Sequence, residues 1–327
     1  MFAFMIQCHD RFENVARLLR WIYHPEDLFV LAIDSNSMSP RQALLPFIDH
    51  PNVCVVDHHS VTWGGASMVD IALSSLRTAL QSDSWRMFIN ISGSDIPLCS
   101  RKRMIEIFTE YENKGYRNFV SDFGAVQFAP IISESAYAGS EKLVSAPSGA
   151  RIRLFGKICE LLRDGATGTA GFTPVTTPAL RSSFVTIENP FNREILCRPY
   201  APFEIDVMQN LLDGNDIRIG RQWVALSRTM CEFLLKSQVI ARVYAFLRST
   251  FIPDESFFQT AAAIAPTKDV GQTLRNNLRY ALGSPENISD AIFDKITKSE
   301  SIFARKVNFA ESSRILEWVD QRITERV

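Results

Sequence analysis

One carboxylate in an apolar setting is well placed in this sequence to move a proton. Glu255 lies in Ile-Pro-Asp-Glu-Ser-Phe-Phe, residues 252–258. A carboxylate between a proline and two phenylalanines loses part of its hydration, and this loss raises its proton affinity toward that of a general base. The same pattern is typical of a helix N-terminus, with Asp254 as the cap and Glu255 in the first turn. From the pattern alone the helix N-terminus is the stronger interpretation, and the catalytic one stays open.

Two pairs of cations indicate a second chemistry, the binding of an anion. Arg305 and Lys306 follow an apolar run, and Arg275 and Arg279 lie in Leu-Arg-Asn-Asn-Leu-Arg-Tyr, residues 274–280. Guanidinium groups bind phosphate bidentately, and an ammonium group acts as a compact point charge. The sequence has no Asp-x-Asp motif, the usual metal clamp of a sugar nucleotide, so a metal-free diphosphate site would need such fixed cations. A solvated basic turn is the alternative.

Other motifs carry less weight. Neither the Gly-x-Gly-x-x-Gly nor the Gly-x4-Gly-Lys-Ser/Thr phosphate loop occurs. Cys8 and His9 are neighbours on a predicted strand and point to opposite faces, which disfavours a Cys/His nucleophile. Asp57, His58 and His59 are also consecutive. Neighbouring side chains rarely converge on one ion, so we expect structural or substrate-contact roles for them rather than a metal site.

Strands and helices alternate in the first third of the chain and predict what positions these groups. Such alternation is typical of a mostly parallel sheet covered on both faces, whose ligands lie outside the carboxyl ends of the strands. Asp34, Asp57 and Asp95 follow predicted strands, which indicates a polar crevice there. The predicted strands are Phe2–Ile6, Leu28–Ile33, Val53–Val56 and Arg86–Ile91. A first helix is predicted after the N-cap signal of Asp10 and Glu13, with Phe12, Val15, Leu19 and Ile22 on one face. A second helix is predicted over about Ser67–Leu80.

The remainder of the chain is less regular until Gly220. Residues 121–200 are rich in Ser, Gly, Ala, Thr and Pro, and predict long loops over the site with one helix-like stretch near Ile152–Leu162. Regular elements then return. They are a strand over Gln222–Ser227, helices over Thr229–Leu247 and Phe257–Ile264, and a C-terminal docking helix with Leu316, Val319 and Ile323 on one face.

Composition limits the class of protein. The 327 residues are 46% hydrophobic and 22% charged, a composition typical of globular proteins. The length predicts about two domains or one large α/β domain. The net charge of −1 gives no overall basic field for nucleic acid or an anionic membrane. No apolar run is long enough to span a bilayer, and the start lacks a basic region and a cleavage site, so no signal peptide is predicted. The six cysteines are dispersed, and we expect reduced thiols.

Eight collinear motifs make the sequence resemble the core-2/I-branching glycosyltransferase family, and its peptide O-xylosyltransferase branch more than its mucin-type N-acetylglucosaminyltransferases. Trp-Gly-Gly-Ala-Ser and Phe-Ala-Arg-Lys together are specific. The motifs are Leu18–Pro25, Leu31–Ser37, Val61–Ser67, Trp85–Pro97, Arg221–Arg228, Pro253–Phe258, Asn276–Arg279 and Phe303–Lys306.

The resemblance implies a GT-A type α/β fold and an inverting transfer from a UDP-sugar that needs no metal cofactor. We expect a nucleotide-sugar-binding half over residues 1–120, an acceptor-binding and catalytic half of the same domain over 121–308, and a docking helix over 309–327. By motif position the resemblance assigns Glu255 as the base, Asp34 to uracil, Arg305 and Lys306 to the diphosphate, Arg279 less directly to phosphate, Trp63, Gly64 and Asp95 to the donor pocket, and Trp223 to the acceptor side.

The resemblance leaves the donor sugar and the acceptor open. UDP-xylose and UDP-N-acetylglucosamine are both compatible donors, and the acceptor is a hydroxyl of a glycan, glycolipid or protein. Residues 121–215 match the family least, so we expect a cytoplasmic enzyme of surface polysaccharide or glycoconjugate synthesis, with peripheral contact to the inner face of the membrane left open. The alternatives are a non-catalytic UDP-sugar or glycan-binding protein on the same fold and a sugar-nucleotide hydrolase.

Overall fold

The structure, a computed structural model, describes residues 1–9, 11–37, 41–58, 60–132, 142–145, 151–154, 158, 182–189, 192–282 and 287–324. The helices are α1 Phe12–Ile22, α2 Leu45–Ile48, α3 Ser67–Ala79, α4 Arg101–Asn113, α5 Pro202–Leu212, α6 Arg228–Lys236, α7 Gln238–Leu247, α8 Asp254–Ile264, α9 Thr267–Val270, α10 Phe293–Thr297 and α11 Ser313–Thr324. The strands are β1 Phe2–Cys8, β2 Leu28–Asp34, β3 Val53–His58, β4 Met87–Ser92, β5 Ile96–Pro97, β6 Tyr116–Val120, β7 Gly124–Val126, β8 Lys142–Ser145, β9 Arg151–Leu154, β10 Val185–Asn189, β11 Glu194–Arg198, β12 Ile217–Ile219, β13 Val224–Ser227, β14 Gln272–Leu274, β15 Arg279–Ala281 and β16 Phe303–Arg305.

A seven-stranded sheet forms the centre of the molecule, in the order β14-β6-β13-β4-β1-β2-β3. All of its strands run in one direction except β13, which is antiparallel to both of its neighbours. Two smaller sheets, β15-β16-β5 and β12-β7, lie at its carboxyl edge. The predicted α/β architecture, a mostly parallel central sheet flanked by helices, is confirmed.

Alternation along β1 shows why this sheet is buried on both faces. Phe2, Phe4 and Ile6 pack into one apolar cluster with α1, α4 and α11, whereas Ala3 and Met5 pack into another with α3, α6, α7 and α8. Each fully buried side chain of Phe or Met size contributes about 1.5–3 kcal/mol relative to exposure. The near-continuous apolar runs of the first strands are therefore explained by cover on both sides.

The two helices predicted from apolar spacing are present and contact each other. Phe12, Val15, Leu19 and Ile22 are buried along α1, and Leu316 and Val319 are buried along α11. Asp320 of α11 accepts hydrogen bonds from Arg17 Nη2 and Trp21 Nε1 of α1, each at 2.6 Å. The C-terminal helix thus docks as predicted, while the predicted cap Asp10 lies outside the described residues.

Two predictions for the second half of the chain are wrong. The helix predicted over Thr229–Leu247 is two helices, α6 and α7, because Ser237 interrupts it and its hydroxyl accepts from the Ile240 amide at 3.4 Å. The loops predicted over 121–200 contain a four-stranded sheet, β10-β11-β9-β8. Ile152 and Leu154 belong to strand β9 rather than to a helix; of the remaining predicted stretch only Ile158, which is helical, is described.

Period-two burial explains why this second sheet forms. Along β11 Ile195 and Cys197 are buried, with more exposed neighbours between them, and along β9 Ile152 and Leu154 face inward in the same way. Their apolar sides meet Phe251 in a third cluster. Across all the described residues, no helix combines the length and apolar character needed to cross a membrane.

The described cysteines are free thiols, and four of them, Cys8, Cys99, Cys197 and Cys231, are buried. Burial raises the pKa of Cys99 to about 11 and raises the pKa values of the other three further. We therefore expect these four not to react with dithionitrobenzoate at pH 8 in the folded protein, leaving at most Cys54 and Cys159 reactive. In guanidinium chloride all six should react. Rapid reaction of more than two thiols in the native protein would contradict this arrangement.

Candidate active site

The carboxyl edge of the central sheet collects polar side chains from most of its strands. Asp34 ends β2, Asp95 follows β4, Asp122 follows β6, and Arg275 follows β14. The antiparallel β13 begins at this edge directly after Trp223. The strand order places Asp34 on one side, Asp95 and Trp223 at the centre, and Asp122 and Arg275 on the other side. Asp34 and Asp95 thus lie at the same edge of the sheet, as predicted, while a crevice between them stays a prediction.

Arg305 lies at the centre of this edge between a carboxylate and an aromatic ring. Asp95 is fully buried, and its Oδ2 accepts from the Ser92 amide at 2.8 Å and the Ser92 hydroxyl at 2.6 Å. The antiparallel register that pairs Ala304 with Ile96 brings Arg305 opposite Asp95, with Nε 3.5 Å from Oδ1. The guanidinium carbon lies 3.6 Å from the ring centroid of buried Trp223. Such stacking on an indole favours a desolvated cation.

The electrostatics of Arg305 show which charges share this site. Burial lowers the pKa of the guanidinium, and Asp95 opposes that change as the strongest charged neighbour. Arg221 acts in the same direction as burial, while Glu255 and Asp254 favour the charged form. Glu255 is therefore within electrostatic reach of Arg305. A cation whose charge is disfavoured by burial is stabilised when an anion binds beside it.

Arg279 lies close to the same centre but is directed into the fold. Its Nη1 donates to the Asn277 carbonyl at 2.9 Å, and its Nη2 donates to the carbonyls of Asn90 at 2.7 Å and Val224 at 3.2 Å. Burial lowers the pKa of Arg279 to about 10; Asp95 opposes this and Arg305 adds to it. The contacts described for this guanidinium join β15 to β4 and β13, so its assignment to phosphate stays a prediction.

Glu255 lies in the first turn of α8, so the predicted helix N-terminus is confirmed, but the predicted cap is wrong: Pro253 is the N-cap, and Asp254 is the first helical residue. The Glu255 carbonyl accepts from the Gly220 amide at 2.8 Å, and its amide donates to the Ile252 carbonyl at 3.2 Å. Ile252 has φ +56°, a strained conformation for a β-branched residue, and its amide donates to the Gly64 carbonyl at 2.9 Å. The entry to this helix is held by specific backbone contacts rather than by local preference.

Trp63 and Gly64 pack against the turn that leads to Glu255. The Trp63 ring contacts the Phe251 ring edge-on, with centroids 5.8 Å apart. Gly64 has φ +83°, and a Cβ there would lie 2.8 Å from Phe251 Cε2, so only glycine fits. Both residues were assigned to the donor pocket by motif position. The contacts that the structure describes for them position the start of α8.

Gly65 and Ser67 pack against strand β10. Glu188 of β10 accepts from the Ser67 amide at 2.9 Å and the Ser67 hydroxyl at 2.5 Å, at the N-terminus of α3. A carboxylate is favoured there because it meets unpaired amides and the positive end of the helix dipole. A Cβ on Gly65 would overlap the Glu188 carboxylate. The Trp-Gly-Gly-Ala-Ser motif is thus explained by the two segments that pack on it.

Asp34 is buried at the end of β2 and is paired with the second sheet. Its Oδ1 accepts from the Asn36 amide at 3.0 Å and the Val61 amide at 3.4 Å. Its Oδ2 accepts from Arg193 Nη2 at 2.6 Å, from the turn between β10 and β11. Sequence reasoning missed Arg193 and Glu188, since they lie in the segment that matches the family motifs least and no local pattern marks either as a partner of the first half.

The structure groups five of the predicted site residues around Arg305 and places three others toward β2 and α3. Lys306 is exposed beside Arg305, and its carbonyl accepts from the Ile288 amide at 2.8 Å. The side chains of Asp57 and His58 and all of His59 lie outside the described part of the chain. Within the part that is described, no three His, Cys, Asp or Glu residues are grouped so as to hold a metal ion. The central five are Asp95, Trp223, Glu255, Arg279 and Arg305; Asp34, Trp63 and Gly64 lie toward β2 and α3.

Comparison with known proteins adds independent information on this arrangement. The profile of the Core-2/I-Branching enzyme family matches residues 2–126 and 179–318, which include every residue of the site described above. A xylosyltransferase of Ciona intestinalis is 23% identical over 284 residues, 85% of this chain and 26% of that protein. The chain therefore spans about a quarter of the length of this relative.

Two further similarities were found. Xylosyltransferase 2 of Rattus norvegicus is 30% identical over 127 residues, 37% of this chain and 14% of that protein. The crystal structure of mouse xyloside xylosyltransferase 1 in its apo form superimposes with a TM-score of 0.35 and 10% identity, covering 95% of this chain and 99% of that one.

The close contact between Gly65 and Glu188 predicts that substitutions at the two positions are coupled in their effect on stability. We expect Gly65→Ala to destabilise the protein by about 1–3 kcal/mol, because the new methyl group displaces the Glu188 carboxylate from Ser67. In a Glu188→Ala background the same change should cost at least about 0.5 kcal/mol less. Urea unfolding of the four proteins measures the difference. An equal cost in both backgrounds would show that Glu188 is not what excludes a side chain here.

Proposed function

Because the chain belongs to the core-2/I-branching enzyme family, we propose that its GT-A type domain transfers xylose or N-acetylglucosamine from a UDP-sugar to an acceptor hydroxyl, with inversion and without a metal ion. The family profile covers most of the chain, and the similar relatives are named xylosyltransferases. One observation of the structure supports the proposal most directly. The largely desolvated cation Arg305, held by Asp95 and Trp223 with 20% of its side chain exposed, lies within electrostatic reach of Glu255.

Glu255 acts as the general base in this proposal. Its carboxylate takes the proton of the acceptor hydroxyl, whose oxygen then forms a bond to the anomeric carbon of the donor sugar. The bond from that carbon to the phosphate oxygen breaks, and its electron pair leaves with UDP. Attack from the face opposite UDP inverts the configuration. The backbone contacts of Glu255 with Gly220 and Ile252 support this role, since they fix the start of α8 beside the cation.

Arg305 and Lys306 stabilise the leaving diphosphate. The two side chains are consecutive, one held over Trp223 and one exposed to solvent. A cation that the protein fixes before the reaction stabilises developing negative charge without reorganising in the transition state. Arg279 then acts as a positioning residue that holds β15 against β4 and β13, through its bonds to Asn90 and Val224.

Asp34 binds the uracil end of the donor in this proposal. It lies on the same edge as Arg305, on the side of β1, β2 and β3, so that a UDP-sugar extends along the edge toward Glu255. The acceptor side is formed in part by residues 121–215, which match the family motifs least. For that reason we propose an acceptor of surface polysaccharide or glycoconjugate synthesis. The alternative, a non-catalytic binding protein, differs in having no use for a base at Glu255.

The base assignment predicts a specific loss of rate. We expect Glu255→Gln to lower kcat by about 10²–10⁴-fold, because the amide cannot accept the proton, while UDP affinity stays within about twofold. Rates are measured as UDP release from UDP-xylose and from UDP-N-acetylglucosamine, with methyl β-D-glucopyranoside or water supplying the acceptor hydroxyl. Glu232→Gln, which removes a carboxylate paired with Lys236 on α6, is the matched control and should retain activity. Turnover near that of the wild type would exclude Glu255 as the base, and UDP binding without turnover of either donor by the wild type would favour the binding protein.

The cation assignment predicts UDP binding in the absence of divalent ions. We expect the wild type to bind UDP in EDTA by calorimetry, and the double variant Arg305→Ala/Lys306→Ala to bind at least about tenfold more weakly, since each charge-assisted bond is worth about 1.5–3 kcal/mol. Lys236→Ala, which removes an exposed ammonium group, should bind like the wild type. Binding that returns only with manganese would overturn the metal-free mechanism.

A further inference from the structure

The ends of β6 and β14 are the part of the carboxyl edge that the donor does not use. In the proposed function the nucleotide lies at β1, β2 and β3, and the diphosphate lies at Arg305 near the ends of β4 and β13. A second substrate that reaches Glu255 must then approach over β6 and β14. The residues that follow these strands, Asp122, Phe123 and Arg275, are therefore the ones an acceptor meets.

A short chain of backbone contacts connects this region to Glu255. The Phe123 amide donates to the Ile219 carbonyl at 2.7 Å, and the next residue, Gly220, donates its amide to the Glu255 carbonyl at 2.8 Å. The contact is close, because a Cβ on Gly220 would overlap the carbonyl oxygen of Ser121. Phe123 thus lies in a segment that backbone hydrogen bonds connect, through Ile219 and Gly220, to the first turn of α8.

Phe123 presents a large apolar side chain in this segment. It is 65% exposed, and it belongs to none of the apolar clusters formed by the described residues. Ligand sites are lined mostly by apolar and aromatic side chains with a few polar groups, and this exposed ring offers such a surface. The C–H groups of one face of a pyranose form an apolar surface that packs on such a ring.

Arg275 supplies a cation next to the same segment, because it pairs with Asp122, the residue directly before Phe123. Asp122 is buried; its Oδ2 accepts from Arg218 Nε at 2.8 Å and lies 3.3 Å from Arg275 Nε, and its Oδ1 accepts from the Gly124 amide at 2.9 Å. Two guanidinium groups share one carboxylate, so this group of three side chains carries a net charge of +1. Arg275 is 68% exposed, and no hydrogen bond to its Nη atoms is found among the described residues. That edge of the guanidinium can bind an anion bidentately.

We infer that Phe123 and Arg275 form an acceptor subsite for an acidic sugar, whose ring packs on Phe123 and whose anionic group binds Arg275. The inference rests on the proposed function, because it places this sugar next to Glu255 with UDP at Arg305. It narrows the acceptor from any hydroxyl compound to a carbohydrate carrying a carboxylate or a phosphate. The two anions share the chemistry that Arg275 recognises.

Binding of three matched glycosides to the UDP-saturated protein tests the inference. The probes are methyl β-D-glucopyranoside, its 6-phosphate, and methyl β-D-glucopyranosiduronic acid, titrated by calorimetry or by saturation-transfer NMR. We expect at least one acidic probe to bind about tenfold or more tightly than the neutral one. The tighter of the two acidic probes identifies carboxylate or phosphate as the preferred anion. Equal binding of all three, or binding of none, would overturn the inference.

Substitutions assign the effect to the two residues. Arg275→Ala should remove the preference for the acidic probes, and Phe123→Ala should weaken all three probes by a similar factor. The matched controls Arg242→Ala, an exposed arginine paired with Asp213, and Phe203→Ala, a 74% exposed phenylalanine of α5, should change neither. A preference that persists in Arg275→Ala would exclude this subsite. UDP affinity is measured in every variant, so that failure to bind UDP reports against the proposed function and not against the subsite.

Discussion

The site depends on the contact between Asp95 and Arg305. A guanidinium that is largely removed from water is unfavourable without a partner, so the carboxylate opposite it stabilises this arrangement. Asp95 is itself held by both the amide and the hydroxyl of Ser92. The short strand β5 pairs with β16 in the register that sets these two charges opposite one another, and Trp223 supports the guanidinium from the other side. An anion beside the guanidinium would stabilise its charge further.

Backbone strain accompanies this arrangement at two places. Ile252, three residues before Glu255, and Leu278, directly before Arg279, both have φ +56°. Each such residue costs about 1–3 kcal/mol and persists only where its surroundings determine it. Here the Ile252 amide donates to the Gly64 carbonyl, and the Leu278 amide donates to Asn276 Oδ1 at 2.8 Å. Glu255 and the buried Arg279 are therefore held in place by the backbone around them.

Charge also joins the two halves of the chain. Glu188 occupies the N-terminus of α3, and Arg193 pairs with Asp34, so the second sheet rests on the first through one anion and one cation. Both contacts lie on the side assigned to the donor. This side and the side of Phe123 and Arg275 meet at Glu255, whose helix contacts both through Ile252 and Gly220. The position of Glu255 thus depends on segments that are distant in sequence.

Local pattern was enough to determine the central sheet and its helices. The apolar run of Leu28–Ile33 is a strand buried on both faces. The spacing of Phe12, Val15 and Leu19 is that of a helix with one buried side. In both elements the bounds predicted from the pattern agree with the structure within a few residues. The motif around Glu255 likewise contained its own helix start. By contrast, the strands of the second sheet are four or five residues long in a segment rich in turn-forming residues, and local pattern there favoured loops.

The partners of the site residues were decided by the tertiary structure alone. Ser67 meets Glu188 across 121 residues, and Asp34 meets Arg193 across 159 residues. Trp223 has no feature in sequence that distinguishes stacking under Arg305 from contact with an acceptor. The sequence by itself determined which residue types can move a proton or bind a diphosphate, because chemistry belongs to the side chain. Their charge environment belongs to pairs of residues, and only folding brings those pairs together.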